Sequence, residues 1–99
     1  MSNAEVRIVC NDILSDGTDV PREITTEFRR QVVAACWWLP PGVTCDIGDL
    51  VTPEFWLPLG KSLRRKLGRF LARWVADGEL PLEFVGPVNR SNKRYRLRQ

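Results

Sequence analysis

The chain has 99 residues, 43% hydrophobic and 27% charged, with three cysteines and no histidine. That size holds one domain with a modest core, that balance argues against disorder, and no apolar run reaches the length that spans a bilayer. The missing histidine removes the commonest general base and a main zinc ligand. Cys10, Cys36 and Cys45 are odd in number and include no Cys-x-x-Cys. They argue against a disulfide framework and for a reducing, cytoplasmic compartment. The N-terminus lacks the basic-then-apolar pattern of a secretory signal. Ser2-Asn3-Ala4 reads like a cloning remnant, though Met1 in front also permits a native start, and either way it carries no weight for the fold.

The net charge of +3 hides an asymmetry: residues 1–60 carry four basic and nine acidic side chains, and residues 61–99 eleven basic and three acidic. The halves therefore stand at −5 and +8. Such a split points to a surface for nucleic acid or another polyanion, against the plainer reading of a solvated face that balances the acidic half.

Taken in chain order, Glu5–Cys10 alternates Val6, Ile8 and Cys10 against Arg7 and Val9, which predicts a strand. Asp16-Gly17 predicts a turn, and Thr18–Ile24 a returning strand that Pro21 confines to an edge. Thr25 predicts the N-cap of a helix to about Leu39. Phe28, Val32, Ala35, Cys36 and Leu39 share its apolar face. Trp37 and Trp38 fall off that face, so the end of this helix is apolar all round and expected to be covered on two sides, by a partner or a second copy. Pro40-Pro41-Gly42 stops it.

Val43–Cys45 predicts a single short strand and Asp46–Val51 a helical turn. Thr52-Pro53-Glu54 opens a short helix, followed by Phe55, Trp56, Leu57 and Leu59 as packing residues. Ser62 predicts the cap of the strongest helix, which ends at Asp77 with Gly78 as its stop. Leu63, Leu67, Phe70, Leu71, Trp74 and Val75 form its apolar stripe. Arg65, Arg69 and Arg73 recur at four-residue spacing on the far side, with Lys66 beside them. Gly68 costs roughly 1 kcal/mol against alanine inside a helix, which predicts a close packing contact. Leu80–Val85 and Arg94–Arg98 alternate as a hairpin with one core face and one arginine face, joined by the basic loop Asn89–Lys93. One core layer is expected: the apolar stripe with Phe84, Tyr95, Leu97, Leu50 and Trp56.

No catalytic apparatus stands out. Gly60-Lys61-Ser62 before a helix has the end of a phosphate-binding P-loop, but Phe55 occupies the position of its first glycine. Asp12, Asp16, Asp19 and Glu23 lack the calcium-loop spacing. No paired-carboxylate motif or nucleophile elbow occurs. An enzyme, a metal and a cofactor are therefore not expected.

Short helix, turn, basic amphipathic helix and basic-tipped hairpin follow one another in the order of a winged helix-turn-helix. There the helix enters the major groove and the wing touches phosphates. The plainer reading is a small α+β domain with exposed arginines on an idle face.

Leu67-Gly68-Arg69-Phe70, Trp74-Val75-Ala76-Asp77-Gly78 and Arg94-Tyr95 together resemble a family of small uncharacterised bacterial and phage proteins. Those proteins carry a leucine-glycine-arginine-aromatic helix and a terminal hairpin with an arginine-tyrosine pair. The resemblance covers roughly residues 44–98 and implies a winged-helix-like fold.

The expectation is thus an α+β, winged helix-turn-helix-like domain over residues 42–99, with residues 1–41 as a strand-and-helix extension packed on it. Its expected nucleic-acid contacts are Arg65, Lys66, Arg69, Arg73, Arg90, Lys93, Arg94 and Arg96, with duplex DNA as first partner and a small transcriptional regulator as the role. Trp37 and Trp38 are the expected interface of a homodimer or a protein partner. The competing function is a protein-interaction module, such as an antitoxin, an immunity protein or a phage-encoded inhibitor. No membrane partner is expected.

Overall fold

A computed structural model describes residues 10–85 and 94–98 of the chain. The described chain is a mixed α+β fold in which α-helices lie beside two small antiparallel sheets. The expected strand at Glu5–Cys10 falls almost wholly outside the described residues. Among the described residues the first strand is β1, Asn11–Ile13, paired with β2, Asp19–Pro21, in the register Asn11↔Pro21. Gly17 closes this hairpin at φ 92°, the left-handed conformation that side chains resist. Pro21 ends β2 on a two-stranded sheet, an edge by construction.

Helix α1 spans Arg22–Trp38, so it starts three residues before the predicted cap. Pro21 (φ −54°) precedes its first turn and offers no capping side chain. Thr25 is buried instead of capping. Its hydroxyl donates to the Asp12 carboxylate of β1 and lies 3.1 Å from the carbonyl of Arg22, while Arg22 Nε donates to Asp12 at 3.0 Å. A carboxylate one strand away thus anchors the first turn that the sequence assigned to Thr25.

Gly42 (φ 84°) turns the chain after Pro40-Pro41. Cys45 makes a two-way backbone bridge to Tyr95, with N···O distances of 2.8 and 2.9 Å. A 3-10 turn, Ile47–Leu50, follows, held by a reciprocal Asp46–Asp49 capping box. Helix α2, Pro53–Trp56, carries proline at its start, and the Thr52 hydroxyl accepts from the Phe55 N–H. Helix α3 runs Lys61–Ala76 with Gly60 rather than Ser62 at its N-cap. It stops as the sequence predicts. Gly78 at φ 76° lets its N–H reach Val75 O and the Glu79 N–H reach Trp74 O, a paired C-terminal lock. Strands β3, Leu82–Val85, and β4, Arg94–Leu97, pair with Leu82 opposite Leu97 and Phe84 opposite Tyr95.

One buried cluster joins β2, α1, the 3-10 turn, α3 and the last sheet. Val20 from β2, Phe28, Val32 and Ala35 from α1, Leu50, then Leu67, Phe70, Leu71 and Val75 from α3, and Leu82 and Tyr95 from the last sheet pack together. Leu63, Trp56, Trp74 and Leu97 pack against its edge. Phe28 lies at the centre of an aromatic group, with Phe55 and Trp56 each 6.3 Å away and Trp74 at 5.8 Å. Arg29 reinforces the seam between α1 and α3. It pairs with Glu79 at 2.7 Å and lies 4.8 Å over the Trp74 ring.

Three packing expectations need correction. Phe84 is 39% exposed, and its ring packs on that of Tyr95, directly opposite it across the sheet, 5.4 Å away. Leu57 is 67% exposed at the end of the short α2. A Cβ added at Gly68 would meet nothing within 4 Å, so no close contact explains that glycine.

Candidate nucleic-acid interface

The outward face of α3 follows from its period. With Leu67, Phe70, Leu71 and Val75 turned into the core, Arg65, Arg69 and Arg73 stand exposed on the far side, beside Ala72 and Gly68. Arg64 is not part of this face. It donates to Trp56 O and Leu57 O at 3.2 and 3.0 Å and lies 5.6 Å over the Trp56 ring, so it holds α2 onto α3.

The basic face is not bare. The β1–β2 turn lies along one edge of it. Lys66 Nζ is 3.6 Å from Asp19, and Arg69 donates to the Thr18 hydroxyl at 3.2 Å. Asp16 belongs to the same turn. The Thr18 N–H, 2.9 Å from its carboxylate, is the first cause holding it below the usual carboxylate range, and the Arg69 charge adds to that. At the other end Arg73 pairs with Asp77 at 3.2 Å, one turn along. Arg65 has no ion-pair partner among the described residues.

The hairpin arginines are partnered too. Arg96 pairs with Glu83, the residue directly opposite it across the sheet, and Arg94 reaches Asp46 at 3.7 Å. Arg90 and Lys93 lie outside the described residues. Of the eight expected contact residues, six are therefore described, and four of those six hold a carboxylate. The sequence pattern showed where the cations cluster but not which anions face them. Lys66–Asp19 and Arg94–Asp46 join positions remote in sequence, while Arg73–Asp77 was readable from its spacing.

All these pairs are solvent-facing, with every partner side chain at least 35% exposed. Pairs of that kind contribute about 0–1 kcal/mol each, so a phosphate can displace them at small cost.

Trp37 and Trp38 are 86% and 63% exposed, and Val33 and Val43 are also open to solvent. The second covering layer expected for the end of α1 is not supplied by the described chain. Among the described residues, no group of histidine, cysteine, aspartate and glutamate side chains could hold a metal ion. Burial pushes the Cys36 and Cys45 thiols above their ordinary value, and Asp49 and Asp46 push Cys45 further, so neither is a ready thiolate nucleophile. No described helix is long and apolar enough to cross a membrane. The chain matches no family model, no curated protein and no solved structure.

Proposed function

We propose that this protein is a nucleic-acid-binding domain of winged-helix type that presents the outward face of α3 to duplex DNA, in the role of a small regulator. The observation that carries the reading is the outward face of α3 itself. Arg65, Arg69 and Arg73 project from a smooth helix surface, with Arg65 free of any described ion pair. Two features support the winged-helix assignment. The order is α1, a bridge residue, short helices, α3 and a hairpin. The bridge residue, Cys45, pairs with β4 rather than with β3. That pairing ties the hairpin to the body of the domain, as a wing must be tied if it is to meet the same duplex as the helix.

Gly68 adds an independent argument. Glycine inside a helix costs about 1 kcal/mol relative to alanine, and here nothing within 4 Å requires it. It lies on the same outward side as Arg65. A bare backbone there leaves room for a close-approaching partner.

Fluorescence anisotropy of the full chain with a random duplex, repeated across salt concentrations, tests the reading. Binding that weakens steeply with salt is expected from counterion release. Gly68→Ala should raise the melting temperature while weakening binding. No binding at low salt, by duplex or single strand, overturns the reading.

The exposed indoles of Trp37 and Trp38 favour a second reading, the protein-interaction module, since aromatic residues anchor interfaces. Recovery of a stoichiometric protein partner, with nucleic acid absent, selects it.

A further inference from the structure

The outward face of α1 is built from two rows of different height. Val33 and Ala34 form a low shelf, and Trp37 and Trp38 stand one turn further on as a tall ridge. The spacing of four places Trp37 above Val33 and Trp38 above Ala34 on the helix surface. All four residues are exposed, and the two indoles are the most prominent apolar groups of the face, at 86% and 63%. Charged Glu27 and Arg30, paired with each other, border the shelf on its N-terminal side, so the face has an apolar centre and a polar margin.

We propose that a second copy of this chain covers this face, with the two α1 helices antiparallel about a two-fold axis. Reversal is what makes the surface self-complementary. An antiparallel copy sets its Trp37–Trp38 ridge on the Val33–Ala34 shelf of the first, and the first returns the same contact. A parallel copy would oppose ridge to ridge and leave a gap over the shelf. In the antiparallel arrangement Arg30, one turn before Ala34, flanks the partner's Trp37 and can stack on the indole, an interaction that the planar guanidinium favours.

The area fits a small dimer. An aromatic side chain buries 150–250 Å², so two indoles at these exposures supply roughly 300 Å² per copy. Val33 and Ala34, with the exposed Pro40 and Pro41 that follow the helix, widen the patch. Two copies then approach about 1,000 Å² in total, the lower end of specific interfaces. Mixed charge at the margin disfavours a lipid surface, where a cationic rim is the usual companion of exposed tryptophan. The dimer is independent of nucleic-acid binding, since no residue of the outward face of α3 takes part.

Sedimentation velocity and light scattering of the full chain across a dilution series test the proposal. The expected result is a mass that rises from 11.4 kDa toward twice that value, with tryptophan emission moving to shorter wavelength as concentration rises. Trp37→Ser removes the ridge and Ala34→Trp fills the shelf. Each should weaken association at least tenfold while leaving the melting temperature of the dilute protein within a few degrees, because both sites are exposed. A protein that stays monomeric at high concentration overturns the proposal, and so does a dimer that survives either variant. A monomer that captures a different protein through Trp37 overturns it as well.

Discussion

Helices α1 and α3 are built alike on their inner sides and differ on their outer ones. Each turns a stripe of large apolar side chains into the same cluster, and Phe28 and Leu67 are fully buried at its heart. Outside, α3 carries arginines on a smooth surface and α1 carries tryptophans on a stepped one. Neither outer face is needed to hold the cluster together. The lesson is that inner faces define the fold, while the outer faces carry what is proposed above: a polyanion surface on α3 and a dimer surface on α1.

The contrast between inner and outer faces is sharpest for stability. Phe28→Ala, at the centre of three aromatic contacts, should lower the unfolding free energy by about 3–5 kcal/mol in urea titrations. Trp37→Ala in dilute protein should change it by less than about 0.5 kcal/mol. Comparable losses would mean that the outer face of α1 is packed within one chain.

Arg65 and Arg73 then separate two positions on one face. Arg65→Ala should cost about 1–3 kcal/mol of duplex affinity if the side chain reads a base, and relax the sequence preference there. Arg73→Ala should cost less, because Asp77 already engages it. Equal losses measured by anisotropy would show that the ion pair does not restrain Arg73. Gly68→Ala should stabilise the fold by up to about 1 kcal/mol, since helix propensity improves and the added methyl meets open space. A destabilised variant would point to a packing contact at that position after all.

A smaller effect tests the acidic turn beside α3. Asp19→Asn releases Lys66 and should tighten duplex binding by about 1 kcal/mol or less while steepening its salt dependence. Unchanged affinity would remove Lys66 from the interface.

The remaining effects are pH-dependent. Hydrogen bonds from Arg30 first, and from Gln31, hold Glu27 on α1 down to about 2. A carboxylate depressed in the folded state stabilises above its unfolded value, near 4.5, and loses that contribution as pH falls toward 2. Burial pushes Tyr95 up to about 12 from an ordinary 10. Its contribution is complete below pH 10 and fades as pH rises through 12. Melting curves of Glu27→Gln and Tyr95→Phe at the two extremes should lose the matching slopes.

Much of the fold was readable in the sequence because its signals are local. Gly78 ends α3, Gly17 closes the first hairpin and Pro53 opens α2, each through the conformation of one residue. The apolar stripe of α3 was readable because its period is that of the helix. What failed depends on distant partners. Thr25 looks like a cap until Asp12, thirteen positions away, takes its hydroxyl. Phe84 continues the alternation of Leu80 and Leu82 yet is 39% exposed, because alternation sets which face of a strand a residue takes and not what covers that face. The arginines of the candidate interface were legible as a charge pattern, but Asp19 and Asp46 come to Lys66 and Arg94 only through the fold.

The bridge between Cys45 and Tyr95 has a consequence for the order in which the molecule assembles. It joins residues fifty positions apart, whereas β1–β2, α3 and its C-terminal lock close within short stretches. Short closures form early because little chain entropy is lost in making them. A pairing at this separation waits until the intervening helices have packed. The two amides of the bridge, each bonded to the other residue's carbonyl, should therefore exchange with solvent only when the whole domain opens, while amides of the β1–β2 hairpin exchange through local fraying. Rapid deuteration at Cys45 and Tyr95 in a folded sample would show that the C-terminal hairpin detaches by itself.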